Sequence, residues 1–235
     1  MTMMRLARAT ATTAVVVCGI ALMLTPIGSA QSDNTLVYAD FENVVEGRPV
    51  SNRGGSMQLF GYSENPTRPP TIKGAPNLEP AAPELVRTKA DEANRMGKFE
   101  FELMTPNQWS GVSLEIKGQA EQDGKSPAED LTGYKTLSVE VFSTGVGNLR
   151  VELLSRGWGI NPNTANPQIT FIPKKGLNTY KVELKKFAQP SWVTDTRIDP
   201  KDVLKKLTAV SISAFCDDCR PTKGMMVVDN VIFEK

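Results

Sequence analysis

An all-β fold, an antiparallel β-sandwich of jelly-roll type with one short helix, is predicted by three observations. Eight or nine short segments alternate apolar with polar residues, the period of a half-buried strand. Glycine, proline, asparagine and aspartate fill the intervals between them. One segment alone, beginning at Asp199, carries a clear helix start.

The first thirty residues stand outside this pattern. Arg5 and Arg8 precede an apolar run from Ala14 to Leu24, and Gly28–Ala30 is a small-residue cleavage site, so residues 1–30 read as a secretory signal peptide. The run is far shorter than the roughly 20 residues of a membrane-spanning helix. Cys18 lies inside it behind bulky Val17, which argues against lipid attachment. Residues 31–235 then form a single β-sandwich domain, secreted or periplasmic. Cleavage removes Arg5 and Arg8 and no acid, so 27 basic residues fall to 25 against 26 acidic ones. That balance offers no footprint for nucleic acid or an anionic membrane.

In the mature chain, residues 36–42 place Leu36, Tyr38, Asp40 and Glu42 on one strand face. A short apolar piece follows at Met57–Tyr62. Then comes a loop with Pro66, Pro69, Pro70, Pro76, Pro80 and Pro83, too dense in proline for a central strand and suited to covering a sheet edge. Strands resume at Lys98. Val112, Leu114 and Ile116 alternate with Ser113, Glu115 and Lys117, while Trp109 before them reads as packing inward. Ser126, Pro127 and Glu129 have capping-box spacing and predict one helical turn.

Leu137, Val139 and Val141, then Leu149, Val151 and Leu153, flank a turn at Gly145 and Gly147 and read as a hairpin. That turn is no nucleotide loop, because Arg150 stands where a third glycine would be. A loop around residues 157–168 leads to strands at 169–175 and 178–187, the second with Tyr180, Val182 and Leu184 on one face. Asp199 caps the helix, Pro200 begins it, and Val203, Leu204 and Leu207 form its apolar stripe. Residues 207–215 and 225–233 read as a closing hairpin. Its loop holds Cys216 and Cys219, the only cysteines left after cleavage, which an exported setting favours as a disulfide. Asp217 and Asp218 disfavour a reactive thiolate there.

Strand alternation puts Asp229 in a row with Met225, Val227, Val231 and Phe233. A buried carboxylate needs a hydrogen-bond donor, a counter-charge or a metal. If the first and last strands meet, Asp229 joins Asp40 and Glu42, and calcium is the natural bridging ion. The other reading has Asp229 capping a local turn with Asn230 while Asp40 and Glu42 face water.

The order of "DFE", "WSGVSLEI", "DLTGYKTLSVEVFSTG", "NTYKVELKKF" and "VVDNVIFEK" across residues 36–235 resembles the galactose-binding-like jelly-roll domains, especially secreted carbohydrate-binding modules and the complex I intermediate-associated protein family. That resemblance implies a structural calcium site at Asp229 and Glu42, with Asp40 a third candidate.

With no histidine in the chain, Ser-His-Asp and Cys-His nucleophile systems are excluded. A glycosidase needs only two carboxylates, but the acids here are scattered and none is marked as catalytic. A sugar-binding surface needs exposed aromatic planes flanked by polar groups. Trp158 in its glycine-rich loop leads the candidates, with Trp192, Tyr62 and, for a hydroxyl, Arg156. Each aromatic residue has a plain packing role as its alternative. The expectation is a secreted, non-catalytic domain that binds a carbohydrate or glycan. The alternatives are an assembly partner of other envelope proteins and a polysaccharide hydrolase.

Overall fold

Two antiparallel sheets carry the chain, and the long strands that follow one another in sequence cross between them. The computed structural model describes residues 34–64, 70–72, 81–87, 92–118, 125–161, 165–194, 197–216 and 221–235. Most of the proline-rich loop, Cys219 and the leader lie outside these residues, and with Cys219 the proposed disulfide. In chain order the elements are β1 (Thr35–Ala39), β2 (Val44–Val45), β3 (Arg48–Pro49), β4 (Met57–Ser63), β5 (Thr71–Ile72), β6 (Glu84–Arg87), β7 (Arg95–Leu103) and β8 (Gln108–Glu115). There follow β9 (Thr136–Thr144), β10 (Asn148–Leu154), β11 (Gln168–Phe171), β12 (Asn178–Glu183), α1 (Pro200–Leu204), β13 (Ala209–Cys216) and β14 (Thr222–Glu234).

One large sheet has seven strands in the order β12-β9-β14-β7-β5, with β1 also on β14 and β6 also on β7; the other has five, β11-β10-β13-β8-β4, and β2 and β3 form a separate two-stranded pair. Their facing sides are the core. Val112, Leu114, Leu149, Val151, Val210 and Ile212 of the smaller sheet meet Leu137, Val139, Phe99, Phe101, Val228 and Phe233 of the larger, all nearly or wholly buried. The Tyr38 hydroxyl donates to the Leu114 carbonyl at 2.8 Å, tying the first strand to the opposite sheet.

The expected hairpins are not formed. β9 pairs with β12 and β14 while β10 pairs with β11 and β13, so the Gly145 turn passes from one sheet to the other. β13 and β14 likewise belong to different sheets. Alternation fixes which face of a strand is apolar but is silent about its partner, and a sandwich lets both faces meet one core. The predicted helical turn at Ser126–Glu129 is also absent. Glu129 forms an isolated bridge with Leu207, and its carboxylate bonds Arg53 Nη2 at 2.7 Å, so neither group closes a capping box. The helix at Asp199 is present, with the Asp199 side chain accepting from the Lys201 N–H at 2.8 Å. Part of the proline-rich loop does line an edge, where Thr71 and Ile72 pair with Glu102 and Phe101.

The first and last strands meet, with Leu36 opposite Phe233. Asp229 does not share a face with Phe233, however. The register of β14 shifts between Asp229 and Ile232, where Asn230 has φ of 42°, and this bulge turns Met226 and Val228 inward before it and Val231 and Phe233 inward after it. Nearby, Phe41 is buried on a left-handed backbone with φ of 59°. Its ring occupies the space that a side chain on Gly97 of β7 would need, since a Cβ there would lie 2.2 Å from Phe41 Cε1. Gly97→Ala is therefore expected to destabilise the protein by about 1–3 kcal/mol, seen as a lower urea midpoint. An unchanged midpoint would show that the Phe41 ring moves freely.

Candidate functional site

The outer side of the five-stranded sheet combines large side chains at one end with small ones along its middle. Register places Tyr62 of β4 opposite Trp109 of β8, and Trp109 opposite Phe215 of β13. Tyr62 and Trp109 stack with ring centroids 4.1 Å apart at 19°, and Trp109 meets Phe215 at 5.7 Å and 53°. The expectation that Trp109 packs inward is thus corrected. It shares strand parity with Ser113 and Glu115, the wet side of the same strand, and that parity was available in the sequence.

Arg150 of β10 lies over this ladder, its guanidinium carbon 4.4 Å from the Trp109 ring and 4.7 Å from Phe215. Tyr62 and Arg150 each stand about 4 Å from one ring centroid, so they cover its opposite faces. Trp109 consequently orients its neighbours more than it offers a plane. Arg150 is 7% exposed, and its Nε lies 3.6 Å from Glu152 Oε2. Burial pushes the Glu152 carboxyl above its ordinary value, and Arg150, followed by Asn166, pulls it back. The middle of the sheet is low. Ser211 and Ser213 of β13 are buried with no hydroxyl partner, and a Cβ on Gly111 would lie 2.7 Å from that of Ser213.

Tyr62, Trp109, Arg150, Glu152 and Phe215 floor a groove of about 630 Å³. Gln168 and Thr170 of β11 line one side, Glu64 and Asn107 the other, and Trp192 overhangs it from the loop after β12. Trp192 is 68% exposed and Tyr62 46%. Of the four candidates for ligand contact, the structure therefore brings Tyr62 and Trp192 together. Trp158 lies apart from this groove, its indole N–H donating to the Ser126 carbonyl at 2.9 Å and its ring beneath Lys206 Nζ at 4.3 Å. Arg156 reaches over the outer face of β13 to Ser113 Oγ at 3.0 Å and Glu115 Oε1 at 3.2 Å. Sequence reasoning missed Arg150, Glu152 and Phe215, although each has the parity opposite to its strand's apolar row.

The carboxylates singled out for a metal occupy another part of the fold. Asp229 is fully buried; its oxygens accept from Asn94 Nδ2 at 2.8 Å, from the Asn230 N–H at 2.8 Å and from Asn230 Nδ2 at 3.2 Å. Asn230 Nδ2 also donates to Glu140 Oε2 at 2.9 Å. Asp40 accepts from Asn52 Nδ2 at 2.9 Å, and Glu42 is exposed and engages the backbone and guanidinium of Arg95. Among the described residues no three acidic or cysteine side chains are grouped closely enough to hold a metal ion by themselves. Burial raises the Asp229 carboxyl to about 6, Asn94 and Asn230 oppose that rise, and the charges of Glu140 and Asp40 add to it.

No family model matches the chain, and no curated protein matches it. Its fold is found among solved structures. A family 11 carbohydrate-binding module from Clostridium thermocellum, in complex with a β-1,3-1,4-mixed-linked tetrasaccharide, is similar with a TM-score of 0.52 and 11% identity, over 86% of this chain and 95% of that one. The family 11 module of the cellulosomal cellulase Lic26A-Cel5E of the same organism is similar with a TM-score of 0.51 and 12% identity, over 85% and 94%. The chain has the jelly-roll β-sandwich fold of these modules.

Asp229 also makes a pH dependence. An unfolded aspartate titrates near about 3.9, so between pH of about 4 and 6 the native state keeps a proton that the unfolded chain has released. Stability of the metal-free protein is therefore expected to be greatest below this window and to fall as pH rises through it, by up to roughly 3 kcal/mol. Urea melts of the unaltered protein and of Asp229→Asn across the window isolate this contribution. Equal slopes would contradict it.

Proposed function

We propose that the protein is exported and that the outer face of its five-stranded sheet binds a carbohydrate chain without cleaving it. The observation that carries this reading is the convergence on one groove of two exposed aromatic side chains, Tyr62 and Trp192, with the buried Arg150 and its half-buried partner Glu152. Aromatic planes take the C–H faces of sugar rings, while an oriented guanidinium donates to the hydroxyls around them and a carboxylate accepts from them. Five strands spaced by about 4.8 Å give a groove floor on the order of 19 Å across, long enough for several sugar rings. The likeness to modules with the same fold supports this reading, and one of them holds a tetrasaccharide.

Glu152 is engaged by Arg150 and Asn166, which suits it to fixing a ligand more than to relaying protons. Affinity electrophoresis against mixed-linked β-glucan, xylan, mannan and agarose, with a reducing-end assay on the same mixtures, tests the proposal. Binding without product release is expected, weakened about tenfold or more by Trp192→Ala or Tyr62→Ala. Loss on Trp158→Ala instead would move the site to the 157–161 loop. Release of reducing ends would make the protein a hydrolase, and a stoichiometric envelope protein captured without any sugar affinity would make it an assembly factor.

A structural calcium ion is the second part of the proposal. Asp229, Asp40 and Glu42 would have to draw together on the ion, since they are not grouped closely enough to hold one as they stand, with Glu42 exchanging Arg95 for it. What supports the reading is the all-oxygen donor set and an Asp229 carboxyl that burial, with the charges of Glu140 and Asp40 adding to it, keeps high. Chelation is expected to lower the melting temperature and added calcium to restore it. No shift in either direction would leave Asp229 to its bonds with Asn94 and Asn230.

A further inference from the structure

The groove does not end at Glu152. Asn166 forms a sill between it and a second hollow of about 350 Å³, which Ser155, Arg156, Asn161 and the glycines 157 and 159 line. Asn166 accepts from Asn161 Nδ2 at 2.9 Å, and its side chain also bonds Glu152, so one amide joins the two hollows. The second hollow has no aromatic lining. It has polar atoms that the described residues leave unmatched: among them the Ser155 hydroxyl, on a residue 8% exposed, and Asn161 Oδ1 are both buried without a partner. Gly159, with φ of 68°, leaves open space where a side chain would stand.

Resting on the carbohydrate reading above, we propose that this hollow is a further section of the same site and takes the continuing part of an uncharged polysaccharide chain by hydrogen bonds alone. Burying unmatched amide and hydroxyl oxygens is unfavourable, and sugar hydroxyls supply both donors and acceptors at the density these groups require. The chain is uncharged because the cations along the face are already matched. Arg156 lies against Glu115 and Arg150 against Glu152, so an incoming carboxylate or sulfate would have to displace a carboxylate from each. The aromatic groove supplies apolar contact for the first rings and the second hollow reads the hydroxyls of the next ones. Affinity therefore rises with chain length beyond the reach of Tyr62 and Trp192.

Calorimetric titration with oligosaccharides of three and of six units from mixed-linked β-glucan, xylan, mannan and agarose separates this proposal from the reading beneath it. The six-unit chain that binds is expected to bind about tenfold tighter than its three-unit form, and Asn161→Ala and Arg156→Ala to remove that margin while leaving three-unit affinity unchanged. Retained three-unit binding shows that both variants are folded. Equal affinity for the two lengths, or a margin that survives both variants, overturns the second section while the groove stands. Tighter binding of a six-unit chain that carries carboxylates or sulfates, lost on adding salt, overturns the uncharged chain. Failure of every oligosaccharide to bind the unaltered protein overturns both readings.

Discussion

Asn230 holds a left-handed backbone in the middle of the longest strand, and the arrangement of the larger sheet follows from that one residue. Before the bulge, β14 pairs with β7 on one side and β9 on the other; after it, β1 takes the place of β7. The same step reverses which residues face the core, so Met226 and Val228 on one half and Val231 and Phe233 on the other are all buried. An asparagine tolerates this conformation better than most residues. The neighbouring carboxylate of Asp229 is thereby enclosed, and its desolvation is offset by the amides of Asn94 and Asn230. Close to where the first and last strands meet, Phe41 repeats the left-handed conformation and fills the hollow above Gly97.

The opposite sheet handles charge differently. Arg150 is nearly as buried as a core residue, yet it sits on the outer face, held by two aromatic rings and one carboxylate. Guanidinium is weakly hydrated and stacks on aromatic planes, which makes arginine the cation able to occupy such a place. Its rigidity is borrowed from Trp109, whose two faces are both covered. Trp192 and Tyr62 keep larger exposed surfaces, so in this face the fixed groups and the available ones are different residues.

Much of this was legible in the sequence, and what escaped did so for identifiable reasons. Period-two alternation located the buried faces around Val112, Leu137, Leu149 and Tyr180, together with the capped helix at Asp199. It named no partners, which is why the segments flanking Gly145 and those flanking Cys216 read as hairpins when each pair is split between the sheets. Trp109 stands just before the alternating residues 112–117, and only continuing their parity back to it puts it on the side of Ser113 and Glu115. Asp229 was rightly marked as buried, but the row assigned to it assumed an unbroken strand, and nothing in the alternation of residues 225–233 announces a bulge. Trp158 drew notice for its glycine neighbours, whereas Lys125, Lys206 and Ser126, remote in sequence, are what occupy it.

The strands of the smaller sheet answer to two masters. Their inward residues, Val112, Val151 and Ile212 among them, are fixed by the opposing sheet, while Trp109, Arg150 and Phe215 on the other side are held by one another. The backbone can therefore keep its place while what stands on that outer side is exchanged. Such a division of labour within single strands is how chains that share barely a tenth of their residues come to share one scaffold.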